Sequence, residues 1–373
     1  MNKIKFGEIK IGNVAKQHIQ ECLDSNWVTM GKKTAMFEEG IRRLFKVPTS
    51  VAVNSGTSAD QAMVMALYDF GASRGDEIIC PALSFISTGT SILAAGFKPV
   101  FVDVDWDMQI DVTKIEEKIT GKTRAIMPVC LMGKPYNVNK VREIADKHSL
   151  FILADCCESH GAMVDKKLIE EYADMCAYSF YSAHVVFSGQ FGVITSKDKK
   201  YENILKSIRS HGRQVDSLYF DHVRLGYNFM PTDIHASIGL ESLEEFHNNI
   251  SIRRDNILTM TKLLYDIDDI EIVREEFNEF NSPHAFSLII RPTSKFRIND
   301  LKSVLDKIGV EYKRNFGSIP GHTAFNFDSY AKEKYPRAEY IGDNGIHWAC
   351  HRYMSKDEAV LIAETVRKFF GRL

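Results

Sequence analysis

The stretch Ser179-Phe180-Tyr181-Ser182-Ala183-His184 closes an apolar run that begins at Met175, and its reading decides the fold. Met175 to Phe180 has the look of a buried strand. The residues after it turn polar and end on an imidazole, a group able to move protons near neutral pH. Strand candidates of the same kind lie on either side: Glu77 to Cys80, Pro99 to Val104, Ala125 to Leu131, Leu150 to Ala154 and Gly192 to Thr195. Helical spacing separates them at Ser87 to Ala95, Val112 to Lys118 and Val138 to His148. Continuous apolar strands alternating with helical lengths predict an α/β architecture, with a largely parallel sheet covered on both faces. Ligands of such sheets gather beyond the carboxyl ends of the strands.

Three chemically marked groups fall at those ends. Besides Ser179 to His184, Asp155-Cys156-Cys157-Glu158 follows the strand ending at Ala154, and Asn54-Ser55-Gly56-Thr57-Ser58 follows the short apolar Val51-Ala52-Val53. A strand, a turn of small residues and a helix start bring free backbone N–H groups and hydroxyls together, the arrangement that holds a phosphate. A capped helix with no ligand reads the same way locally, and each acid or histidine has an equally ordinary reading as a turn cap or a hydrogen-bonded core group. Phe85, just past another strand, offers an aromatic face close by.

Two further helices are predicted between Ile11 and Phe45, broken at Trp27 to Gly31. After the sheet, Leu225-Gly226-Tyr227-Asn228-Phe229-Met230-Pro231 leads into a helix that Thr232 or Asp233 caps. A long polar helix, Asn248 to Asp266, then connects a large domain (residues 1–247) to a smaller one (248–373). The latter mixes strands at Ile270 to Val273, Ala285 to Ile290 and Val310 to Tyr312 with helices at Ile298 to Ile308 and Lys356 to Phe370.

A chain of 373 residues that is 45% hydrophobic can bury the cores of two domains. With 47 basic against 49 acidic residues and no long run of one sign, nothing favours nucleic acid or a charged membrane surface as partner. The N-terminal residues lack the apolar core of a signal peptide, and no apolar run has a membrane-spanning length. The seven cysteines are an odd number without a metal-type pair of pairs, which fits reduced thiols and a cytoplasmic location, and Cys156-Cys157 is expected to be structural. Arg209, Arg213, Arg253, Lys313 and Arg314 are candidates to meet a diphosphate, most of them with a more ordinary reading as solvated surface.

In order along the chain, Ser55-Gly56-Thr57-Ser58, Pro81-Ala82-Leu83-Ser84-Phe85, Gly96 to Asp105, Asp155 to Ala162 and Gly226-Tyr227-Asn228 resemble the DegT/DnrJ/EryC1 sugar aminotransferases over nearly the whole chain. That family places the lysine that carries pyridoxal phosphate where this chain has His184. An imidazole has no primary amine to condense with an aldehyde. With Glu158, the Ser179 to His184 run resembles the small branch in which histidine replaces that lysine, the 3-dehydratases of nucleotide-linked 4-keto-6-deoxy sugars.

The resemblance implies a type I pyridoxal-phosphate-dependent aminotransferase fold, with a seven-stranded-type sheet and a smaller C-terminal α+β domain. It implies a pyridoxal 5'-phosphate or pyridoxamine 5'-phosphate cofactor held without a covalent bond. Asp155 would meet the pyridine nitrogen and Glu158 the ring hydroxyl. Gly56, Thr57 and Ser179 would hold the phosphate, Phe85 would stack on the ring, and Asn228 would reach the phosphate of the neighbouring subunit in a homodimer. His184 would be the base. The implied reaction is a lyase step of deoxysugar and surface-polysaccharide biosynthesis, removing the hydroxyl at sugar carbon 3, with L-glutamate restoring the amine form. No iron–sulfur cluster is expected, because the closely spaced cysteines of the branch member that carries one are missing. One departure stands out: the family's Gly-Glu-Gly-Gly is here Gly189-Gln190-Phe191-Gly192, which sets a bulky ring near the expected site. Two alternatives are a nucleotide-sugar aminotransferase using a non-lysine base, and a catalytically silent protein of this fold.

Overall fold

The computed structural model describes residues 3–218, 221–325, 330 and 333–372. Seven strands form the main sheet: β1 (Thr49–Val53), β2 (Glu77–Pro81), β3 (Lys98–Val102), β4 (Thr123–Ile126), β5 (Phe151–Asp155), β6 (Met175–Ser179) and β7 (Gly192–Ser196). Their order is β1-β7-β6-β5-β4-β2-β3, and β7 alone runs against the rest. Alternate residues serve opposite faces, and both faces are apolar: Val51, Val53, Ile78, Ala125 and Leu153 enter one core, while Ala52, Ile79, Ile126, Ile152 and Ala154 enter the other. Burial on both sides is why these strands read as unbroken apolar runs with no alternation.

Helices cover both faces: α1 (Asn13–Asp24), α2 (Lys32–Phe45), α3 (Gly56–Ala66), α4 (Ser87–Ala94), α5 (Val138–His148), α6 (Lys200–Arg209) and α7 (Asp233–Glu244). Ser55 caps α3, its side chain accepting from the Ser58 N–H, and Thr232 caps α7 by accepting from the His235 N–H. The expected helix at Val112 to Lys118 is instead two short 3₁₀ turns, Val112–Lys114 and Glu116–Lys118. Asp111 accepts from the Thr113 N–H there and starts a tight turn, so the apolar spacing is too short to propagate an α-helix. The strand expected to reach Leu131 stops at Ile126, and a separate turn holds Leu131–Gly133.

After α8 (Phe246–Leu264), a four-stranded antiparallel sheet forms in the order β8 (Ile270–Ile272), β9 (Phe286–Ile290), β11 (Gly345–Trp348) and β10 (Tyr312–Arg314), packed with α9 (Ile298–Lys307) and α11 (Lys356–Phe369). Its apolar core joins Met260, Leu288, Leu301, Trp348 and Ile362, and Ile4 from the start of the chain enters it through a bridge to Val310. Strand β11 and the helix α10 (Pro336–Asn344) before it have no counterpart among the sequence-based expectations, and β10 lies two residues later than expected. Two short pairings tie this unit to the main sheet: Glu279–Phe280 with Met163–Val164, and Gly317–Ser318 with Leu83–Ser84. No helix among the described residues is long and apolar enough to cross a membrane.

Candidate active site

A cavity of about 610 Å³ opens where β5, β6 and the start of α3 end and β10 and β11 approach. Gly56, Thr57, Phe85, Asp155, Glu158, Ser179 and His184 all line it, so seven of the eight residues singled out in the sequence meet in one place. Asn228 is not among the lining residues. It is exposed, its Oδ1 accepts from the Met230 N–H at 3.3 Å, and its carbonyl accepts from Asn54 Nδ2 at 3.4 Å.

The cup at the start of α3 depends on close approach. A Cβ added to Gly56 would sit 2.6 Å from the Ser179 Cβ and 3.0 Å from the Cys157 Sγ. Only glycine lets the first turn, whose N–H groups have no intrahelical acceptor, reach the Ser179 hydroxyl. Gly192 has a similar role on β7, since a Cβ there would lie 2.1 Å from the Ser55 carbonyl oxygen.

Asp155, at the end of β5, is buried; its Oδ1 accepts from the Cys157 N–H at 3.1 Å and its Oδ2 from the Thr88 hydroxyl at 3.0 Å. Burial raises its pKa, opposed by those hydrogen bonds. Beside it lies Asp60, fully buried in α3, whose carboxylate oxygens have no hydrogen-bond partner; burial first and the charge of Asp155 second push its pKa well up. Of the two, Asp155 lines the cavity, and a carboxylate there suits a protonated ring nitrogen. The glycine cradle, the hydroxyl of Ser179 and this acid together fit a phosphorylated pyridine cofactor.

His184 follows β6 and faces a second histidine, His284, which precedes β9: the two Nδ1 atoms are 3.2 Å apart. His284 Nε2 in turn stands 3.5 Å from Glu158 Oε1, and Glu158 Oε2 accepts from the Met132 N–H at 2.9 Å. Burial holds both imidazoles well below the ordinary histidine range, and nearby histidines, Arg253 and Lys313 add to the effect. Burial lifts Glu158 to about 7, against the backbone hydrogen bond from Met132. Arg253 of α8 fixes both histidines through their carbonyls: Nη1 donates to Pro283 and His284, Nη2 to Ala183 and His184. It is therefore a buried clamp, unavailable to a diphosphate. Arg209 is equally committed, donating to Glu38 at 2.8 Å. Lys313 and Arg314 do line the cavity, and Lys313 is the one lysine among its described lining residues, its ammonium 4.2 Å from the Phe6 ring centre.

Phe191 lines the cavity, as its position suggests, but most of its ring is turned into the core. Its side chain is 1% exposed and packs edge-on against Phe37 and Phe180 in the core. Gln190 lines the cavity beside it. Phe85 is 56% exposed, with Phe316 edge-on at 6.5 Å. Cys156 is a core thiol as expected, but Cys157 lines the cavity. His284 and His347 carry no local signal in the sequence. Each sits in a short strand context where a histidine reads as an ordinary sheet residue, and only the docking of the small sheet brings them in. Asp60 was legible as an acid in the middle of an apolar helix, a placement that needs an explanation.

Fold and site together define a protein of the pyridoxal-phosphate-dependent aminotransferase fold. The chain belongs to the DegT/DnrJ/EryC1/StrS aminotransferase family, whose model matches residues 10–367. It is 30% identical over 358 residues to the GDP-perosamine synthase of Escherichia coli O157:H7, covering 95% of each chain. It is also 30% identical over 379 residues to the GDP-4-keto-6-deoxy-D-mannose 3-dehydratase of Yersinia pseudotuberculosis, covering 95% of this chain and 94% of that one. Among solved structures, the E. coli GDP-4-keto-6-deoxy-D-mannose-3-dehydratase with bound hydrated PLP superposes with a TM-score of 0.87 at 27% identity, covering 98% of this chain and 99% of that one. Relatives of equal identity thus perform two different reactions on GDP-linked sugars.

Proposed function

We propose that this chain is a 3-dehydratase that deoxygenates carbon 3 of a nucleotide-linked 4-keto-6-deoxy sugar, a lyase working with non-covalently held pyridoxal or pyridoxamine phosphate and with glutamate as amino donor. The observation that carries the proposal is His184, an imidazole at the end of β6 facing the cavity where a Schiff-base lysine would be needed. The structural relative with bound hydrated PLP supports a cofactor held without such a lysine.

When bound, pyridoxamine phosphate supplies an amine for the keto group at carbon 4 and an electron sink that lets the hydroxyl at carbon 3 depart. The residues act around it. Gly56, Thr57 and Ser179 would hold the phosphate, Asp155 would keep a proton on the ring nitrogen, Glu158 would lie near the ring hydroxyl, and Phe85 would stack on the ring. His184 Nδ1 is engaged by His284, which leaves Nε2 to take a proton as general base. A lysine in its place can return that proton to carbon 4 and complete an amine transfer; a buried neutral imidazole fixed by Arg253 has no such reach. Lys313 and Arg314 supply positive charge for the nucleotide diphosphate.

The homodimer is part of the proposal. Val223, Leu225 and Tyr227 are exposed on the segment that carries Asn228, an apolar surface suited to an isologous contact that brings Asn228 to the neighbour's phosphate cup. For the chain itself we propose a large cofactor-binding domain of residues 1–247 and a small domain of 248–373, supported by the separate apolar core after α8.

The GDP-perosamine synthase relatives favour a second reading, amine transfer to carbon 4. Incubation with a panel of 4-keto-6-deoxy nucleotide sugars and glutamate, followed by mass spectrometry of the sugar, decides between them. A 3-deoxy product is expected, and a 4-amino sugar would select the second reading.

A further inference from the structure

Three side chains from three separate segments form a line beside the cavity: His184 after β6, His284 before β9, and Glu158 after β5. His184 Nδ1 and His284 Nδ1 are 3.2 Å apart, and His284 Nε2 is 3.5 Å from Glu158 Oε1. The backbone is shaped to keep this line. Met132 adopts a left-handed conformation, φ 57° and ψ 16°, uncommon for a residue with a side chain. In that conformation its N–H donates to Glu158 Oε2 at 2.9 Å, while its carbonyl accepts from the His284 N–H at 3.3 Å. Gly133 beside it has φ 84°, and a Cβ there would lie 1.9 Å from the Ser282 carbonyl oxygen. One strained turn therefore holds the acid and the second histidine at once, and Arg253 holds the carbonyls of both histidines.

One pair of tautomers satisfies every contact. Two facing Nδ1 atoms need one hydrogen between them, and a carboxylate opposite His284 Nε2 calls for a hydrogen there. His184 then carries its proton on Nδ1 with Nε2 bare, and His284 carries its proton on Nε2 with Nδ1 accepting.

We propose that His284 is the relay partner of His184, passing a proton from His184 Nδ1 to the Glu158 carboxylate whenever His184 Nε2 takes one up. The step balances. One proton enters at His184 Nε2, the Nδ1 proton moves to His284 Nδ1, the His284 Nε2 proton moves to Glu158 Oε1, and both rings end neutral with tautomers exchanged. The only net charge change is the neutralisation of Glu158, so no imidazolium need form in a site that disfavours one. This inference rests on the reading of His184 as the base, although the contacts stand without it. Around the line, His160, Tyr181, Arg253 and Lys313 face His184; His347, Arg253 and Lys313 face His284; Asp155 and Lys313 face Glu158. Lys313 favours the charged carboxylate and Asp155 opposes it. Below about pH 7 Glu158 is already protonated and cannot accept, so the relay is lost as pH falls through that value.

The test uses the full-length protein with pyridoxamine phosphate bound, labelled with ¹⁵N in the histidine rings. Nitrogen NMR should show His184 protonated at Nδ1 and His284 at Nε2, with both signals shifting together through one ionisation near pH 7. In Glu158→Gln that ionisation should vanish. His284→Asn should lower deoxy-sugar turnover about 10²-fold, the lower end of the cost of a lost proton-transfer partner, and should remove the acid limb of the rate profile. Ring signals that ignore Glu158→Gln, or a His284→Asn enzyme with normal turnover and an unchanged acid limb, would overturn the relay. The Glu158→Gln comparison needs no folded His284 variant. Failure of the two proposals can be told apart: an amino-sugar product with coupled rings overturns the reaction and leaves the relay, while a deoxy product with uncoupled rings does the reverse.

Discussion

Replacing His184 by Asn keeps a polar side chain of similar size and removes the titratable nitrogen. Pyridoxamine phosphate affinity and melting temperature should change little while elimination falls ~10²–10⁴-fold. A variant that is destabilised yet turns over normally per folded molecule would make His184 a core histidine. Asp155→Asn should lower turnover far more than folding stability, because a buried acid with a raised pKa is exchanged for a neutral group that cannot hold the ring proton. Near-normal turnover in that variant would reduce Asp155 to a turn cap. At this scale much of the site was legible: Gly56, Thr57, Asp155, Glu158, Ser179 and His184 lie at strand ends or helix starts, where local sequence marks them. His284 was not, since its place in the site depends on how one sheet docks on another, and Lys313 was named only as one of five basic candidates for a diphosphate.

Among the elements, α8 matters most to the site although it contributes no lining residue. Its Arg253 holds four carbonyls, those of Pro283, His284, Ala183 and His184, from a buried position. Arg253→Lys puts one point charge where a fork spans two segments, and the carbonyls left unpaired should cost ~2–4 kcal/mol of stability. Chemical denaturation measures this, and a loss under about 0.5 kcal/mol, the range of a surface change, would show that the clamp is not needed. The elements themselves were largely readable. Continuous apolar strands announced the buried parallel sheet, and α5 begins and ends where its spacing placed it, Val138–His148. Strand β11 escaped notice because Gly345-Ile346-His347-Trp348 is only four residues long, too short for its period to stand out, and the Gly342-Asp343-Asn344 run before it reads as a loop where α10 in fact ends. Val112 to Lys118 misled because apolar spacing alone does not supply the length a helix needs to propagate.

In the proposed homodimer, Asn228 would complete the neighbouring site. If Asn228 serves the neighbour's phosphate cup, mixing an Asn228→Ala variant with a His184→Asn variant should create heterodimers with one unmutated site, recovering roughly a quarter of wild-type turnover from two inactive parents by random pairing. No recovery after subunit exchange would place Asn228 outside the cup. Size-exclusion chromatography with light scattering gives the parallel check, expected to read a dimer. Nothing in one chain's sequence states which surface faces a copy of itself, so this part came only from family resemblance.

Tracing the amino nitrogen tests the central claim most directly. Supplied with ¹⁵N-glutamate and a nucleotide-linked 4-keto-6-deoxy sugar, the enzyme should release the label as free ammonium in step with a 3-deoxy sugar that carries none, and His184→Asn should suppress both together. Label retained in the sugar, with the hydroxyl at carbon 3 intact, would contradict the account and make the chain an aminotransferase in which histidine has taken over the work of lysine.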